Sequence, residues 1–531
     1  TEQLTQTEAL YALLGPSRYE PDSAYAVWRN VNLFDEHTWG AWNSISDPDS
    51  PDVRAQWAYK LSYLEAARAE ESRMRMSILP PPPAGTVRSI DVINTGSWRR
   101  TDLVIIPAGV QTPGLRAHDA SGRPVPAQRL STGEIALLAA DVPPFGCTRI
   151  TFEAGEAFAP AVAVATTVTH GENRPEDAPA NTGATALSAG NGPIDVSVDS
   201  STGVISRLEK GGMNYVDVYS SKGLNQYIYV PGRDPSTAVS DKDVRVTIVD
   251  KGPLVATLRI QSIPPGGKLL VRTVRVTAGI DRVDIADSLW KDDVRTRESV
   301  HIAFPFRVPG GETRIDNTFS IIRPDSDQLP GSCRDFFCAN RWVDVSNSTE
   351  GILMAVPDAP LVETGSMTDE RQNSAGVRSW RERAGAGSRI YSYVMNNYWH
   401  TNYKADQEGL ALFRYSLRPH GSFDGLAAVR FGAEIAQPLI PVTSRTTLTP
   451  GASLLTVDPP AVVATALRPE AGGGWTLHLY NAGTEPAHAT VTWNGPAPVT
   501  ITRCGLDSAA GSPCTFPVLM APSGTAFFRI R

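Results

Sequence analysis

From Thr1 to about Arg75, apolar residues recur at intervals of three and four, the spacing that lines one face of a helix. Glu8-Ala9-Leu10-Tyr11-Ala12-Leu13-Leu14 predicts a helix that stops at Gly15-Pro16, because proline cannot continue the hydrogen-bond ladder. The capping pair Asp22-Ser23 predicts a second helix carrying Tyr25, Val27 and Trp28 towards Asn32 and Leu33. A turn over Asp47-Pro48-Asp49-Ser50-Pro51-Asp52 leads to a third helix, since proline at a first helical position lacks only an N–H that would be unpaired there anyway. Val53, Trp57, Leu61 and Leu64 give that helix an apolar stripe whose expected role is core packing.

Pro80-Pro81-Pro82-Pro83 is a stiff spacer, and after it the hydrophobic period drops to two. Strands are predicted at 87–94, 102–107, 135–138 and 148–152, forming a small antiparallel β domain that ends near Thr169. Residues 171–192, rich in Ala, Asn, Gly and Pro, read as a linker or surface loop. Beyond them, 194–199 and 202–208 predict a hairpin. About a dozen further strands reach Leu417 with no interleaved helix, the pattern of a large two-sheet sandwich. A Pro-rich stretch near Pro438-Leu439-Ile440-Pro441 leads to short strands at 462–466, 475–480, 489–493 and 526–530. The fold class is therefore mainly β after a helical opening. Its segments are 1–78 (helical bundle), 86–170 (small β), 190–437 (large β-sandwich) and 442–531 (C-terminal β-sandwich).

Composition narrows the function. The 531 residues carry a net charge of −7 without a Lys/Arg block, which argues against nucleic acid or an anionic membrane as main partner. No apolar run is long enough to span a bilayer. Cys333 and Cys338 lie five apart and Cys504 and Cys514 ten apart, with Cys147 left over. Two local disulfides, which would favour a periplasmic or secreted protein, and buried thiols fit this spacing equally. The first residue is Thr, and the opening helices read as the tail of something larger, with an upstream portion expected.

The densest chemistry lies in Asn32-Leu33-Phe34-Asp35-Glu36-His37-Thr38-Trp39-Gly40-Ala41-Trp42. An imidazole can ligate Zn²⁺, carboxylates accept hydroxyl protons, and flat rings pack on a pyranose, but three or four ligands must converge to hold zinc. The bland reading of the stretch is a turn with buried Trp and a hydrogen-bonded His. Apart from His37 and His400, the six histidines at 118, 170, 301, 420, 478 and 488 show no ligand spacing and read as surface or core residues.

Three stretches taken in order resemble glycoside hydrolase family 38, the α-mannosidases. They are Leu33-Phe34-Asp35-Glu36-His37-Thr38-Trp39-Gly40; Asn94-Thr95-Gly96-Ser97-Trp98-Arg99-Arg100 running into Leu103-Val104; and Asn396-Asn397-Tyr398-Trp399-His400-Thr401-Asn402-Tyr403 with Gln407-Glu408-Gly409 and Phe413-Arg414-Tyr415-Ser416-Leu417. Thr202-Gly203-Val204-Ile205-Ser206-Arg207-Leu208 and Asn225-Gln226-Tyr227 add to the likeness. The resemblance covers the C-terminal portion of such an enzyme and implies a large galactose-mutarotase-like supersandwich. It implies a zinc-dependent retaining α-mannosidase whose catalytic barrel, with the nucleophile, the acid/base and the remaining zinc ligands, lies outside this chain. His37 is then the last zinc ligand, and Asp35 or Glu36 orients it or contacts sugar. Trp39 or Trp42 shapes the pocket wall, and Trp399, His400, Asn402 and Tyr403 form a rim supplied by the large β domain. Thr38 stands where eukaryotic members carry an Asp that bonds sugar hydroxyls, so the sugar's identity is open. With most ligands absent, the 531 residues alone are expected to be inactive. The rivals are a non-catalytic carbohydrate-binding or structural β protein, against which the helical opening argues, and a polysaccharide lyase-like accessory region, whose charge-neutralising set is not assembled here.

Overall fold

A computed structural model describes residues 1–79, 85–158, 163–169, 185–369, 380–398, 402–443, 448–496, 500–505 and 511–531. The chain divides into two compact units, one made of Thr1–Ala159 with Ala436–Arg531 and the other of Pro160–Ile435. Among the described residues no helix is long and apolar enough to cross a membrane.

In the first unit α1 (Glu2–Leu14), α2 (Pro21–Asp35) and α3 (Pro51–Ile78) precede the strands. Helix α1 is buried on almost every side, with Leu4, Leu10, Tyr11, Ala12 and Leu13 all inside. It is tied to α3 by the Tyr11 hydroxyl donating to the Met74 carbonyl at 2.9 Å and by the Thr7 hydroxyl donating to Glu71 Oε1 at 2.7 Å. On another side Trp475 Nε1 donates to the Ala12 carbonyl at 3.2 Å. Each large apolar side chain removed from water here contributes roughly 1.5–3 kcal/mol before entropy is counted.

The stripe on α3 differs from the expected one. Val53, Trp57, Lys60, Ala67, Glu71, Met74 and Ile78 are its buried positions, while Leu61 is exposed. Two charged residues occupy core positions because each has a partner there: Lys60 reaches Glu36, and Glu71 accepts from Thr7.

Ser89–Asn94 lies between Gly146–Glu153 and Ile440–Thr443, antiparallel to both. This return of the chain after residue 436 joins the first and last sequence segments into one unit. Arg100–Ile106, Ile135–Val142 and Ala127–Arg129 form a second small sheet, and the final residues add sheets of three and five strands.

The second unit holds two five-stranded sheets and one nine-stranded antiparallel sheet. One expectation is corrected there. Thr185–Gly190, inside the stretch read as linker, is a strand paired with Val164–Thr169 and with Ile194–Asp199. The strands are also followed by a helix, α4 (Gly425–Ala436), which seats Phe431 and Ala428 against Trp342 and Leu353. Its Gly432 is needed for close approach, since a Cβ there would lie 2.7 Å from the Trp342 ring.

A buried polar cluster sits behind the Thr202-Gly203 turn. The Arg272 guanidinium donates to Asp241 Oδ2 and to the Asn225 carbonyl, both at 2.8 Å, and Asn225 Nδ2 donates to Asp287 Oδ2 at 2.7 Å. Asn225 holds a left-handed φ of 58°. Burial pushes the Asp287 carboxyl up to about 7, against the pull of Arg272. A carboxyl raised in the folded state binds more protons there than in the unfolded chain, so its contribution is full below about pH 4 and is lost as pH rises through about 7. Stability of the second unit should therefore fall across that window by a few kcal/mol, because each tenfold difference in proton affinity between the two states is worth about 1.4 kcal/mol. Asp287→Asn, which keeps the acceptor for Asn225, should flatten the slope. Chemical denaturation at pH 5 and 7.5 checks this, and an equal slope in wild type and variant would refute it.

Candidate functional site

Helix α2 ends at Asp35, and Glu36 turns the chain into a loop with extended backbone angles (φ −58°, ψ 137°). The loop is pinned from both ends. Lys60 Nζ, rising from α3, donates to the Glu36 carbonyl at 2.8 Å and to Glu36 Oε2 at 3.2 Å. Further along, the Ala41 amide donates to Gln56 Oε1 at 2.6 Å, and Trp57 Nε1 donates to Ser44 Oγ at 2.8 Å. Gly40 is buried where a Cβ would stand 2.6 Å from Ser44 Oγ, which explains glycine at that position.

Between these anchors His37 projects outward, its side chain 83% exposed. Its Nδ1 is engaged by Glu36 Oε1, and the Thr38 hydroxyl lies 3.2 Å from the same nitrogen. The other Glu36 oxygen accepts from the Thr38 amide at 3.0 Å. The hydrogen bond to His37 first, then the Thr38 amide and Lys60, hold the Glu36 carboxyl down at about 2, so it is ionised across the working pH range. A carboxylate fixed on one ring nitrogen sets tautomer and orientation and leaves Nε2 as the nitrogen available to a metal.

Beside the loop lies an open groove of about 410 Å³, walled by Leu33 and Trp39 on one side and by Gln56, Tyr59, Lys60 and Tyr63 on the other. Trp39 stands edge-on to Phe34 with centroids 5.2 Å apart. Sequence reasoning misses the α3 wall, although Gln56, Tyr59, Lys60 and Tyr63 follow the i, i+3, i+4, i+7 spacing of one helix face. Tyr63 donates to the Tyr59 hydroxyl at 3.0 Å, so this wall presents two linked phenols.

The remaining candidates are distributed as follows. Asp35 is exposed at the end of α2, and Trp42 is exposed beyond the loop. Asn402, at a left-handed φ of 66°, and Tyr403 belong to the second unit; Trp399 and His400 lie outside the described residues. His301 and His478 are buried. The first stacks on Tyr393 and approaches Glu363 at 2.9 Å; the second stacks on Phe527, with burial pushing its pKa down to about 4. His420 pairs with Asp344 at 2.6 Å.

Among the described residues no three His, Cys, Asp or Glu side chains converge as a metal site. His37 with Glu36 fits one corner of a zinc centre, an outward imidazole with its orienting carboxylate, and fits nothing more complete. Cys333, Cys338 and Cys514 are thiols.

Residues 189–356 match the profile described as "Glycosyl hydrolases family 38 C-terminal domain". Residues 189–356 thus resemble the C-terminal domain of that family. The fold as a whole is shared with an alpha-mannosidase from Enterococcus faecalis V583, at TM-score 0.67 and 10% identity, over 99% of this chain and 66% of that one. A second Enterococcus faecalis structure, described as a protein in the glycosyl hydrolase family 38, aligns at TM-score 0.65 and 12% identity over 99% of this chain and 68% of its own. The chain spans about two thirds of the length of these proteins and shares their fold over that length. No curated protein matches the sequence.

Proposed function

We propose that this chain is the rear portion of a zinc-dependent retaining α-mannosidase acting on terminal α-mannosides, and that His37 completes a metal centre whose other ligands are held elsewhere in the enzyme. The observation that carries the reading is the His37 loop: an exposed imidazole, oriented by an ionised Glu36 that is itself fixed by Lys60 and the Thr38 amide. When bound, zinc supplies a grip on vicinal sugar hydroxyls and stabilises developing charge. Glu36 keeps the proton on His37 Nδ1 and directs Nε2 outward. Trp39 and the Tyr59–Tyr63 wall give a sugar a flat apolar face in the groove beside the loop. Asn402 and Tyr403, with Trp399 and His400, are the proposed rim from the β domain. The nucleophile and acid carboxyls lie outside this chain, so these 531 residues alone should be inactive.

The test is hydrolysis of an aryl α-mannoside by the full-length protein. Activity should vanish on chelation, and NMR should show the α-anomer forming first, as a double displacement requires. Chelator-indifferent hydrolysis, or the β-anomer first, would refute the reading.

A further inference from the structure

A second concave site lies in the first unit, between the face of α2 and the Val462–Pro469, Trp475–Asn481 and Thr525–Ile530 strands. It is a groove of about 610 Å³, within the size range of small-ligand sites. Along α2, Tyr25, Trp28 and Asn32 recur three and four apart, so two rings and an amide line one wall. Tyr25 is 69% exposed, a large aromatic left in water with no core to serve. At the floor is Glu8, a buried carboxyl on α1 that accepts from the Tyr19 hydroxyl at 2.6 Å and from the Trp28 side chain. Opposite stands Arg468, exposed, attracted to Glu8 through space and making no side-chain hydrogen bond among the described residues. The far wall is set by Glu470, which takes Arg529 at 2.7 Å and Arg531 at 3.0 Å.

These features select a ligand class. Flat rings beside a carboxyl and a guanidinium suit a polyol, whose C–H face stacks while adjacent hydroxyls bridge acceptor and donor. The lining holds three guanidiniums to two carboxyls; Arg529 and Arg531 are both engaged by Glu470, and the remaining Arg468 faces Glu8, so one donor and one acceptor stand together as adjacent hydroxyls require. We infer that this groove is a non-catalytic binding site for a neutral sugar residue of a glycan, separate from the His37 groove, with Tyr25 as stacking platform and Arg468 as hydroxyl donor. The ligand class rests on the glycan-active reading above; the site does not depend on zinc.

The experiment is titration calorimetry of the full-length protein with mannotriose, cellotriose and digalacturonate, for wild type, Tyr25→Ala, Arg468→Gln and His37→Ala. Tyr25 and Arg468 are exposed, so their replacement leaves folding intact. A neutral trisaccharide should bind, and each of the first two changes should weaken it about tenfold, the size of one lost stacking or charge-assisted contact. His37→Ala should leave the cellotriose binding unchanged. No binding of either neutral sugar, binding of the acidic sugar alone, or loss in His37→Ala without loss in Tyr25→Ala would each overturn the inference. Groove binding in a protein that hydrolyses no α-mannoside would sustain the site while refuting the enzymatic reading.

Discussion

His37→Ala in the full-length protein is expected to lower kcat/KM for an aryl α-mannoside by more than about 100-fold, beyond the roughly 10–100-fold typical of losing a residue that only orients a metal ligand. The expectation follows from position. The ring is exposed and makes its only described side-chain contacts through Nδ1, so removing it disturbs no core. Any large effect must come through what Nε2 binds. Glu36→Gln should fall within the roughly 10–100-fold range, because the amide oxygen still accepts from the imidazole but brings no charge. Since Glu36 stays ionised down to about pH 2, it contributes no acid limb, and the Gln variant should keep the shape of the wild-type pH profile above about pH 4. Thr38→Ala, losing one 3.2 Å contact to the same nitrogen, should be mild. Equal activity in wild type and His37→Ala would remove this residue from the mechanism.

Arg272→Met should destabilise the second unit by about 3–5 kcal/mol, the cost of stranding the partners of a buried ion pair. Arg272 and Asp241 are 0% and 2% exposed, and Asp287 shares their cavity. Without the guanidinium, Asp287 loses the charge that offsets its burial, so it is driven to take up a proton. The deficit should accordingly be largest at neutral pH and shrink as pH falls towards about 5. Hydrogen exchange in the Val255–Ile263 and Gly267–Thr277 strands reads this locally. Unchanged protection there at neutral pH would show that Arg272 fills space and little else.

Much of this arrangement is legible in the sequence because period and punctuation act locally. Gly15-Pro16 ends α1, Ser50-Pro51 opens α3, and alternation locates most strands to within a few residues. What escapes depends on partners distant in sequence. Leu61 looks like stripe and Lys60 like surface, yet Lys60 is buried because Glu36, twenty-four residues earlier, supplies its acceptors. Helix α4 is hard to see because Gly425 and Gly432 weaken helical preference, and the close approach of Trp342 and Arg341 explains the second of them. Residues 185–190 look like linker by composition and become a strand by pairing with strands on either side. In the candidate site His37 and its two acidic neighbours stand out by residue type. The Tyr59–Tyr63 wall and the Lys60 anchor do not, since a helix displays its second face only when its first is known.

The most direct measurement is the zinc content of purified full-length protein, wild type beside His37→Ala, by mass spectrometry of the bound metal. About one zinc per chain in the wild type and almost none in the variant, with both proteins folded, is the expected result. Zinc retained in full by the variant, or absent from an active wild type, would contradict the assignment of His37.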